Sequence, residues 1–562
     1  MAELPMVRGG RAWRRAVAGA WPAPAVLVSG LAALGLVALW LAAPALGTDL
    51  AAQVARADFF AAHGWAPVDF RWYAGISPLG YSLVSPPLMA WFGVRPVGAV
   101  AAVATTVGLT VLLVRTQAPR PLLGGLLGAV GVVGNLVSGR VTFAVGVAWG
   151  VGALLALLPL GRQPPGRTLT SVTVPGAGLL AALAAATSPV AGLFVGLAGT
   201  ALLLHARLPH RSGVPRGLMW AGVALAGGAA VPMVVMGGLF GTGGPMNISR
   251  ADMLHATVTS LVVAALVPRR VVRIGAGLSA AGVVAAYLVT TPVGLNATRL
   301  ATVFALPLVA AYARPPAWVI RGWRRRRWPR PRPALVLAPV LIGLALWQPP
   351  VVTADLATAR EPSASEDFFA PLVAELTRRP PTGRVEVVPT VNYWEAARLG
   401  ELPLARGWLR QADLARNRLF FDGSLDAESY RRWLDRLAVS HVAVPHTRLS
   451  WVGRAEAELI GQGLPYLREV WSHPDWTLYE VRDPTPLVSA PATVVAATAT
   501  GMEFDVPAPG EVRVAVWPSR WLAVDGPAGA CLVPGEDHVV VRIAQPGRYA
   551  LTGSLTRSAP RC

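Results

Sequence analysis

The chain has 562 residues, of which 54% are hydrophobic, and its mean hydropathy is +0.49. Soluble domains rarely average so apolar, which excludes an ordinary soluble protein. The formal net charge is +20, yet the first 350 residues hold 28 arginines against five acids, whereas the remainder holds 22 against 25. The basic excess lies in short connections between apolar runs, a pattern typical of membrane topology rather than of nucleic-acid binding, and we expect no nucleic-acid partner.

Long apolar runs continue to about residue 348 and predict an all-α membrane domain over 23–350. A membrane span needs about 20 apolar residues. By this measure we predict about eleven transmembrane helices, at 23–46, 96–114, 121–138, 141–160, 174–187, 189–206, 217–239, 254–268, 274–290, 300–313 and 334–349. The break at Ser188-Pro189 leaves open whether 174–206 forms two spans or one kinked helix with a re-entrant piece.

The arginines predict the orientation of these spans. If the basic N-terminus (1–22) is cytoplasmic, its side of the membrane carries 22 of the 28 arginines, and the opposite side carries six. This bias favours a multi-pass protein of the plasma membrane, with its C-terminal part outside because the number of spans is odd. The run Arg324–Arg327 would then anchor the last connection against the lipid bilayer.

The C-terminal part (351–562) is predicted to be extracytoplasmic and to have two domains. Mixed helix and strand patterns predict an α/β domain over 351–485, with elements at 366–378, 384–389, 425–437 (capped by Ser424), 441–444 and 476–481. Short alternating runs at 512–516 and 538–542 predict a β-sandwich over 486–562. Cys531 and Cys562 would form a disulfide outside the cell, with two free thiols as the alternative.

The first outer loop (47–95) is the longest connection between the predicted spans, and long loops tend to be functional. It holds Asp49, Asp58 and Asp69, three of the five acids in the first 350 residues. Asp49 directly precedes a predicted helix at 50–63. It is therefore either the N-cap of that helix or a reactive carboxylate held at the membrane surface. Asp58 follows 2.5 helical turns later, so it lies on a different face.

Aromatic and proline residues fill the rest of the first outer loop. Asp69 and Trp72 belong to an aromatic stretch (65–73) that would either pack on the membrane surface or stack on a sugar ring. The segment 81–88 begins with Tyr81 and contains a Pro-Pro step that opens a short apolar helix. Its alternative interpretation is a rigid turn that only redirects the chain. In the C-terminal part, 517–526 is interpreted as a hairpin with aromatic packing, with carbohydrate binding as the alternative.

The order of these features resembles the GT-C class of membrane glycosyltransferases, including protein-mannosyltransferase-like members. The resemblance rests on the first span, the acid at its outer end, the helix in the loop and the Pro-Pro-Leu segment before the second span. It implies a polyprenyl-phosphate sugar as donor and an envelope glycan, a lipid or a protein as acceptor. Asp49 maps onto the loop carboxylate that acts as general base or metal ligand. Many members carry an acidic pair there, whereas Asp49 stands alone, so a divalent metal stays open as a cofactor.

Glycosyl transfer from a lipid phosphate needs cations for the leaving group at the same membrane face. Arg299, just before a predicted span, and Arg140, in a tight turn between two others, are the candidate phosphate ligands. Each would otherwise be a snorkelling residue at the interface. Asp58, Asp69, Tyr81 and Trp72 are candidate acceptor or loop contacts.

Two other classes of function remain as alternatives to an enzyme. A transporter would bury ionisable groups within its spans and show repeats, and neither is visible in the predicted spans. This argues against ion-coupled transport but leaves a lipid-handling membrane protein open. A non-catalytic scaffold that binds wall glycan would make Asp49 a dispensable helix cap. We therefore predict a glycosyltransferase, with these two alternatives.

Overall fold

The computed structural model describes residues 23–161, 167–208, 216–241, 243–314, 333–557 and 562. The predicted basic N-terminus (1–22) and the run Arg324–Arg327 lie outside the described residues. Predictions about their membrane contacts therefore stay predictions.

Helices dominate the first 350 residues, and each of the eleven predicted spans contains one. In chain order they are α1 (Pro24–Ala42), α2 (Leu50–His63), α3 (Ser85–Phe92), α4 (Val94–Arg115), α5 (Pro121–Val137), α6 (Val141–Ala156), α7 (Arg167–Thr187), α8 (Pro189–Arg207), α9 (Arg216–Phe240), α10 (Arg250–Leu266), α11 (Arg270–Leu288), α12 (Arg299–Tyr312) and α13 (Pro333–Trp347). The helices α2 and α3 lie in the first outer loop, at the position of the predicted 50–63 helix and of the Pro-Pro segment.

Seven stretches of the described residues are helical, long and apolar enough to cross a membrane. They are Pro24–Ala42, Val94–Arg115, Val141–Leu160, Pro189–Arg207, Gly217–Phe240, Arg270–Leu288 and Gly294–Tyr312. Shorter apolar helices lie at Pro121–Val137, Val172–Thr187 and Leu337–Trp347. The structure thus supports a multi-span membrane protein, while the number of eleven spans stays a prediction.

The region around Ser188 forms two helices rather than one kinked helix. Both α7 and α8 pack against α9 through small residues that allow close backbone approach. A Cβ atom at Gly228 would lie 2.3 Å from the carbonyl oxygen of Gly178, and one at Gly199 would lie 2.8 Å from that of Gly222. Glycine at these positions therefore sets how tightly the helices pack.

The C-terminal part begins with helices around a four-stranded sheet. The helices are α14 (Thr353–Ala357), α15 (Ala370–Arg378), α16 (Glu395–Arg398), α17 (Arg410–Arg416), α18 (Ala427–Arg436) and α19 (Gly453–Gly461). The strands are β1 (Arg384–Val387), β2 (Val439–Pro445), β3 (Leu467–His473) and β4 (Trp476–Val481), in the order β1-β2-β4-β3. The strands β1 and β2 pair in parallel, and the other pairs are antiparallel.

The last strands form two antiparallel sheets that share one apolar core. The strands are β5 (Thr493–Thr498), β6 (Gly501–Val506), β7 (Gly510–Val514), β8 (Leu522–Asp525), β9 (Cys531–Pro534), β10 (Val539–Ile543) and β11 (Gly547–Gly553). They are ordered β7-β10-β9 and β5-β6-β11-β8. Phe504 and Tyr549 are fully buried between them. Cys531 is bonded to Cys562, which ties the last residue of the chain to β9.

The predicted cap of α18 is wrong by two residues. Asp426, not Ser424, is the N-cap, and its carboxylate accepts a hydrogen bond of 2.7 Å from the backbone amide of Ser429. The Ser429 hydroxyl accepts one of 2.9 Å from the backbone amide of Asp426. A carboxylate that pairs reciprocally in this way satisfies two amides, whereas the Ser424 hydroxyl donates to Asp422 instead.

The C-terminal part holds the first outer loop from two sides. The backbone amide of Leu404, beside the four-stranded sheet, donates to the carbonyl of Arg71 at 2.6 Å. From the β-rich end, the amide of Trp517 donates to the carbonyl of Ala74 at 2.9 Å. The ring of Trp521 stacks on Phe240 at 5.0 Å, at the end of α9. For the segment 517–526 these contacts favour aromatic packing, and they place the C-terminal part at the same end of the helices as the loop.

Candidate active site at the first outer loop

Close backbone packing places Asp49 beside the turn between α5 and α6. Gly47 and Gly139 both have positive φ angles, +87° and +77°. A Cβ atom at Gly139 would lie 2.3 Å from the backbone nitrogen of Leu50, and one at Gly47 would lie 2.3 Å from the carbonyl carbon of Ser138. Only glycine tolerates both the backbone conformation and the lack of space. The turn that carries Arg140 therefore lies against the start of α2.

The carboxylate of Asp49 binds arginines and does not cap α2. Asp49 occupies the N-cap position, but its side chain makes no capping hydrogen bond. Its Oδ2 atom instead lies 3.3 Å from Nε of Arg140 and 3.7 Å from Nη2 of Arg299. The N-cap interpretation of this side chain is therefore not what the structure shows. Asp49, Arg140 and Arg299, which are far apart in the sequence, are therefore in contact in the structure.

Arg299 is held in place by an aromatic ring. It is the first residue of α12, and its Cζ atom lies 5.3 Å from the ring centre of Phe143. A guanidinium group at this distance is attracted to the face of the ring. Together Arg140 and Arg299 carry two positive charges against the single negative charge of Asp49. Each guanidinium group has five N–H donors, more than the Asp49 carboxylate can use, so the remaining donors can bind an anion.

A second carboxylate, which sequence reasoning missed, lies next to this group. Asp355 on α14 is 6% exposed. The Thr358 hydroxyl donates to the carbonyl of Asp355 at 2.7 Å and accepts from the amide of Gly47 at 3.4 Å, which anchors α14 to the first outer loop. Burial raises the pKa of Asp355, although Ser138 and Arg140 act in the opposite direction. The signal was present in the sequence, since Asp355 follows the last apolar run as Asp49 follows the first.

A chain of hydrogen bonds joins α2 to the Pro-Pro segment. Gln53 follows Asp49 by about one helical turn, and its side chain accepts from the Thr142 hydroxyl. The hydroxyl groups of Thr142 and Ser85 lie 2.8 Å apart, and Ser85 opens α3 directly before Pro86-Pro87. The Pro-Pro step thus opens a short helix, as predicted. Through Thr142, the start of this helix is connected to Gln53 in the first turn of α2.

Tyr81 is also near Asp49, through Gln53 and Arg56. Its hydroxyl accepts a hydrogen bond of 3.4 Å from Nε2 of Gln53. The Cζ atom of Arg56 lies 3.7 Å from the Tyr81 ring centre, and Nη2 of Arg56 donates to the carbonyl of Trp408 at 3.3 Å. Tyr81 therefore contacts Gln53 and Arg56 of α2, and Arg56 in turn contacts the C-terminal part.

The other candidates from the first outer loop make contacts away from Asp49. Asp58 is exposed on a different face of α2, as its spacing predicts. Asp69 is 3% exposed, and its Oδ2 atom lies 3.0 Å from Nη2 of Arg71 in a buried ion pair. Trp72 is 2% exposed and packs so closely on Gly407 that a Cβ atom there would lie 2.3 Å from its ring. A buried ring contacts neither the membrane surface nor a sugar, so Trp72 is a contact within the protein.

An apolar cavity of about 610 Å³ begins beside Arg299. It is lined along α12 by Leu300, Phe304, Leu308 and Tyr312, and otherwise almost entirely by apolar side chains of neighbouring helices. Twelve residues of α-helix span about 18 Å. The cavity therefore measures about 18 Å along α12, which is more than half the thickness of a bilayer's hydrocarbon core, about 30 Å.

The residues around Asp49 do not fit a resident divalent metal. An ion held by the protein alone takes several carboxylate, carbonyl or imidazole ligands. The described part of the chain contains no group of three or more His, Cys, Asp or Glu side chains placed to hold one. A cation bound by Asp49 would also face the guanidinium groups of Arg140 and Arg299.

No protein-family model and no curated protein matches the chain. Among solved structures, it is similar to the arabinofuranosyltransferase AftD from Mycobacteria at 13% identity and a TM-score of 0.44, covering 94% of this chain and 57% of that one. The chain thus spans less than two thirds of AftD. It is also similar to the oligosaccharyltransferase AglB from Archaeoglobus fulgidus, solved with an inhibitory peptide and a dolichol-phosphate. The identity is 11% and the TM-score 0.45, with 75% of this chain and 69% of that chain covered.

A third similar structure is ArnT from Cupriavidus metallidurans bound to undecaprenyl phosphate. The identity is 10% and the TM-score 0.43, with 84% of this chain and 98% of that chain covered.

Proposed function

We propose that the protein is a membrane glycosyltransferase that moves a sugar from a polyprenyl-phosphate donor to an extracytoplasmic glycan, lipid or protein. The observation that carries the proposal is the position of Asp49. Its carboxylate lies between Arg140 and Arg299, 3.3 Å and 3.7 Å from their nearest nitrogen atoms. The apolar cavity begins at the residue after Arg299. A base, two phosphate ligands and a lipid-sized apolar space therefore lie side by side.

The donor would bind with its phosphate at the two arginines and its isoprenoid chain in the cavity. Guanidinium groups donate paired hydrogen bonds to phosphate oxygens, and such charge-assisted bonds are stronger than neutral ones. The N–H donors of Arg140 and Arg299 that Asp49 does not use favour this anion. The isoprenoid chain would exchange contacts with lipid tails for contacts with the apolar cavity wall, so van der Waals packing rather than removal from water would hold it.

Asp49 would act as the general base in a single displacement. One of its carboxylate oxygens takes the proton of the acceptor hydroxyl as that oxygen bonds to the anomeric carbon. The bond from the anomeric carbon to the phosphate oxygen breaks, and the electron pair leaves with the polyprenyl phosphate. Arg140 and Arg299 stabilise the negative charge of this leaving group. Phosphate binding would also draw the arginines away from Asp49, which makes its carboxylate a stronger base.

The orientation of the site follows from the arginine bias in the sequence. We propose that the protein lies in the plasma membrane with a cytoplasmic N-terminus, so that Asp49 and the C-terminal part face outwards. Arg115, Arg120, Arg269 and Arg273 belong to the arginine-rich connections. Arg269 donates to the carbonyl of Thr116, which shows that two of these connections lie together. We also propose that 351–485 and 486–562 are separate extracytoplasmic domains.

A lipid-linked sugar assay with the purified full-length protein tests the proposal. Polyprenyl-phosphate pentoses and hexoses with a radiolabelled sugar are supplied together with cell-envelope acceptors. Release of polyprenyl phosphate coupled to labelling of the acceptor is the expected result.

The cavity also favours one alternative, a lipid-handling protein without transfer. Stoichiometric binding of polyprenyl phosphate in native mass spectrometry, with no transfer of any supplied sugar, would support that alternative over the enzyme. A scaffold without lipid binding predicts neither result.

A further inference from the structure

Four aromatic rings surround one arginine in the C-terminal part. The Cζ atom of Arg410 lies 4.8 Å from the ring centre of Trp408, 5.4 Å from that of Trp451, 5.5 Å from that of Phe421 and 5.7 Å from that of Tyr393. We call these five residues the Arg410 cluster. Nη2 of Arg410 also donates a hydrogen bond of 2.9 Å to the Tyr393 hydroxyl. Nη1 of the same guanidinium group is buried and has no hydrogen-bond partner, so the cluster combines flat apolar faces with one unused donor.

The cluster is built around a strained residue. Tyr393 has a φ of +59°, in the left-handed region that residues other than glycine rarely adopt. Its ring stacks on Trp408 at 3.6 Å with an interplanar angle of 8°, and its hydroxyl bonds that of Ser450 at 3.0 Å. Such backbone conformations cost about 1–3 kcal/mol and persist where surrounding contacts enforce them, often at functional sites.

One ring of the cluster is open to solvent. Trp451 is 56% exposed, and it is the only strongly exposed Trp, Tyr or Phe among the described residues after 350. Its edge packs on Phe421, at a ring distance of 5.7 Å and an angle of 74°. A half-exposed indole beside a guanidinium group matches a sugar, whose C–H face is apolar and whose hydroxyl groups accept hydrogen bonds.

The charge of the cluster points to a neutral ligand. Oδ2 of Asp413 lies 3.9 Å from Nη1 of Arg410, so the guanidinium charge already has a counter-charge. A phosphate or carboxylate group on a ligand would compete with that carboxylate, whereas a hydroxyl group would not. A neutral sugar therefore fits better than an anionic one.

The cluster is connected directly to the first outer loop, including α2, the helix that follows Asp49. The carbonyl of Trp408 accepts from Nη2 of Arg56 at 3.3 Å, and the carbonyl of Gly407 accepts from the Tyr73 hydroxyl at 2.7 Å. Arg56 is seven residues after Asp49, which is about 10 Å along an α-helix. A glycan chain bound at the cluster would therefore have one end close to Asp49.

We propose that the Arg410 cluster binds the neutral glycan that accepts the sugar, which rests on the transfer proposed above. Trp451 stacks on one sugar ring, and Arg410 donates to its hydroxyl groups. The site thereby selects a glycan, rather than a lipid or a protein, as the acceptor.

Glycan binding by the full-length protein tests this inference without requiring transfer. The probes are short neutral arabino-, manno- and gluco-oligosaccharides, with a polyuronate as the anionic comparison, measured by saturation-transfer NMR. We expect the variant Trp451→Ala to bind the neutral oligosaccharide about 2- to 12-fold more weakly, the range for the loss of one aromatic contact. The control Trp471→Ala, on β3 at the opposite edge of the sheet, should bind as the original protein does.

The outcomes separate this inference from the proposed function. Failure of the original protein to bind any neutral oligosaccharide, a preference for the polyuronate, or unchanged binding by Trp451→Ala would each overturn the glycan site. If transfer is observed and Trp451→Ala leaves the KM for the acceptor unchanged, the site is wrong while the enzyme stands. If Trp451→Ala loses glycan binding and no transfer occurs, the cluster is a glycan-binding site but not an acceptor site, and the proposed enzyme is wrong.

Discussion

Replacing Asp49 by asparagine tests the proposed chemistry most directly. The variant Asp49→Asn keeps the shape of the side chain and removes its charge and its ability to take a proton. In the structure the carboxylate contacts Arg140 and Arg299 and makes no capping hydrogen bond to α2. The substitution should therefore act on the reaction rather than on the helix.

The expected effect is large on kcat and small on stability. A positioned general base contributes about 100- to 10 000-fold to the rate, so kcat should fall by that factor. A lost N-cap would cost about 1 kcal/mol of unfolding free energy, but Asp49 makes no cap bond to lose. The ion pairs are partly exposed, with 28% exposure for the Asp49 side chain, and are worth about 1 kcal/mol at most. The KM for the donor should stay equal or decrease, because its phosphate would meet arginines without a counter-charge.

The assay follows transfer from the lipid-linked donor at varied donor and acceptor concentrations, together with thermal unfolding of each purified variant. The matched control is Asp58→Asn, since Asp58 is an exposed aspartate on the same helix. We expect that control to retain full activity. Transfer by Asp49→Asn within about two-fold of the original rate, with normal membrane insertion, would refute Asp49 as the base and support the scaffold or lipid-handling alternatives.

Three further substitutions test other parts of the structure. Arg299→Gln should raise the KM for the donor about 10- to 150-fold, the equivalent of one charge-assisted bond, and an effect confined to the acceptor would contradict its phosphate role. Asp69→Asn should lower the unfolding free energy by up to about 3 kcal/mol, because it removes the nearer carboxylate of the buried Arg71 and leaves only Glu401, at 4.0 Å; an unfolding temperature equal to that of Asp58→Asn would show that the pair contributes nothing. Glu395→Gln should stabilise the protein at pH 8 but not at pH 4. Burial raises the pKa of Glu395 from 4.5 to about 7, so its contribution to stability is fully present below pH 4.5 and is lost, by about 3 kcal/mol, as the pH rises to 7. Equal shifts of the unfolding temperature at both pH values would contradict this.

Local patterns in the sequence predicted individual elements well. The helix expected at 50–63 is found at Leu50–His63, and the strand expected at 476–481 is found at Trp476–Val481. Both follow from apolar periodicity and from the residues at their ends, which act within one element. The cap of α18 was predicted wrongly because two polar residues compete there, and only the reciprocal bond between Asp426 and Ser429 decides between them.

The sequence by itself determined that the protein is membrane-embedded and that its first 350 residues are poor in acid, with a few charged residues at helix ends. It singled out Asp49, Arg140 and Arg299 separately, because a charge at the end of an apolar run is visible in composition alone. Only the tertiary structure decided that these three residues meet, since their contacts join positions 91 and more residues apart and depend on glycines that let distant backbones touch. It also paired Asp69 with Arg71 in a buried ion pair, placed Asp355 beside the site and gathered four rings around Arg410. Such contacts depend on which helices and loops pack against each other, and the local periodicity of a sequence does not predict that packing.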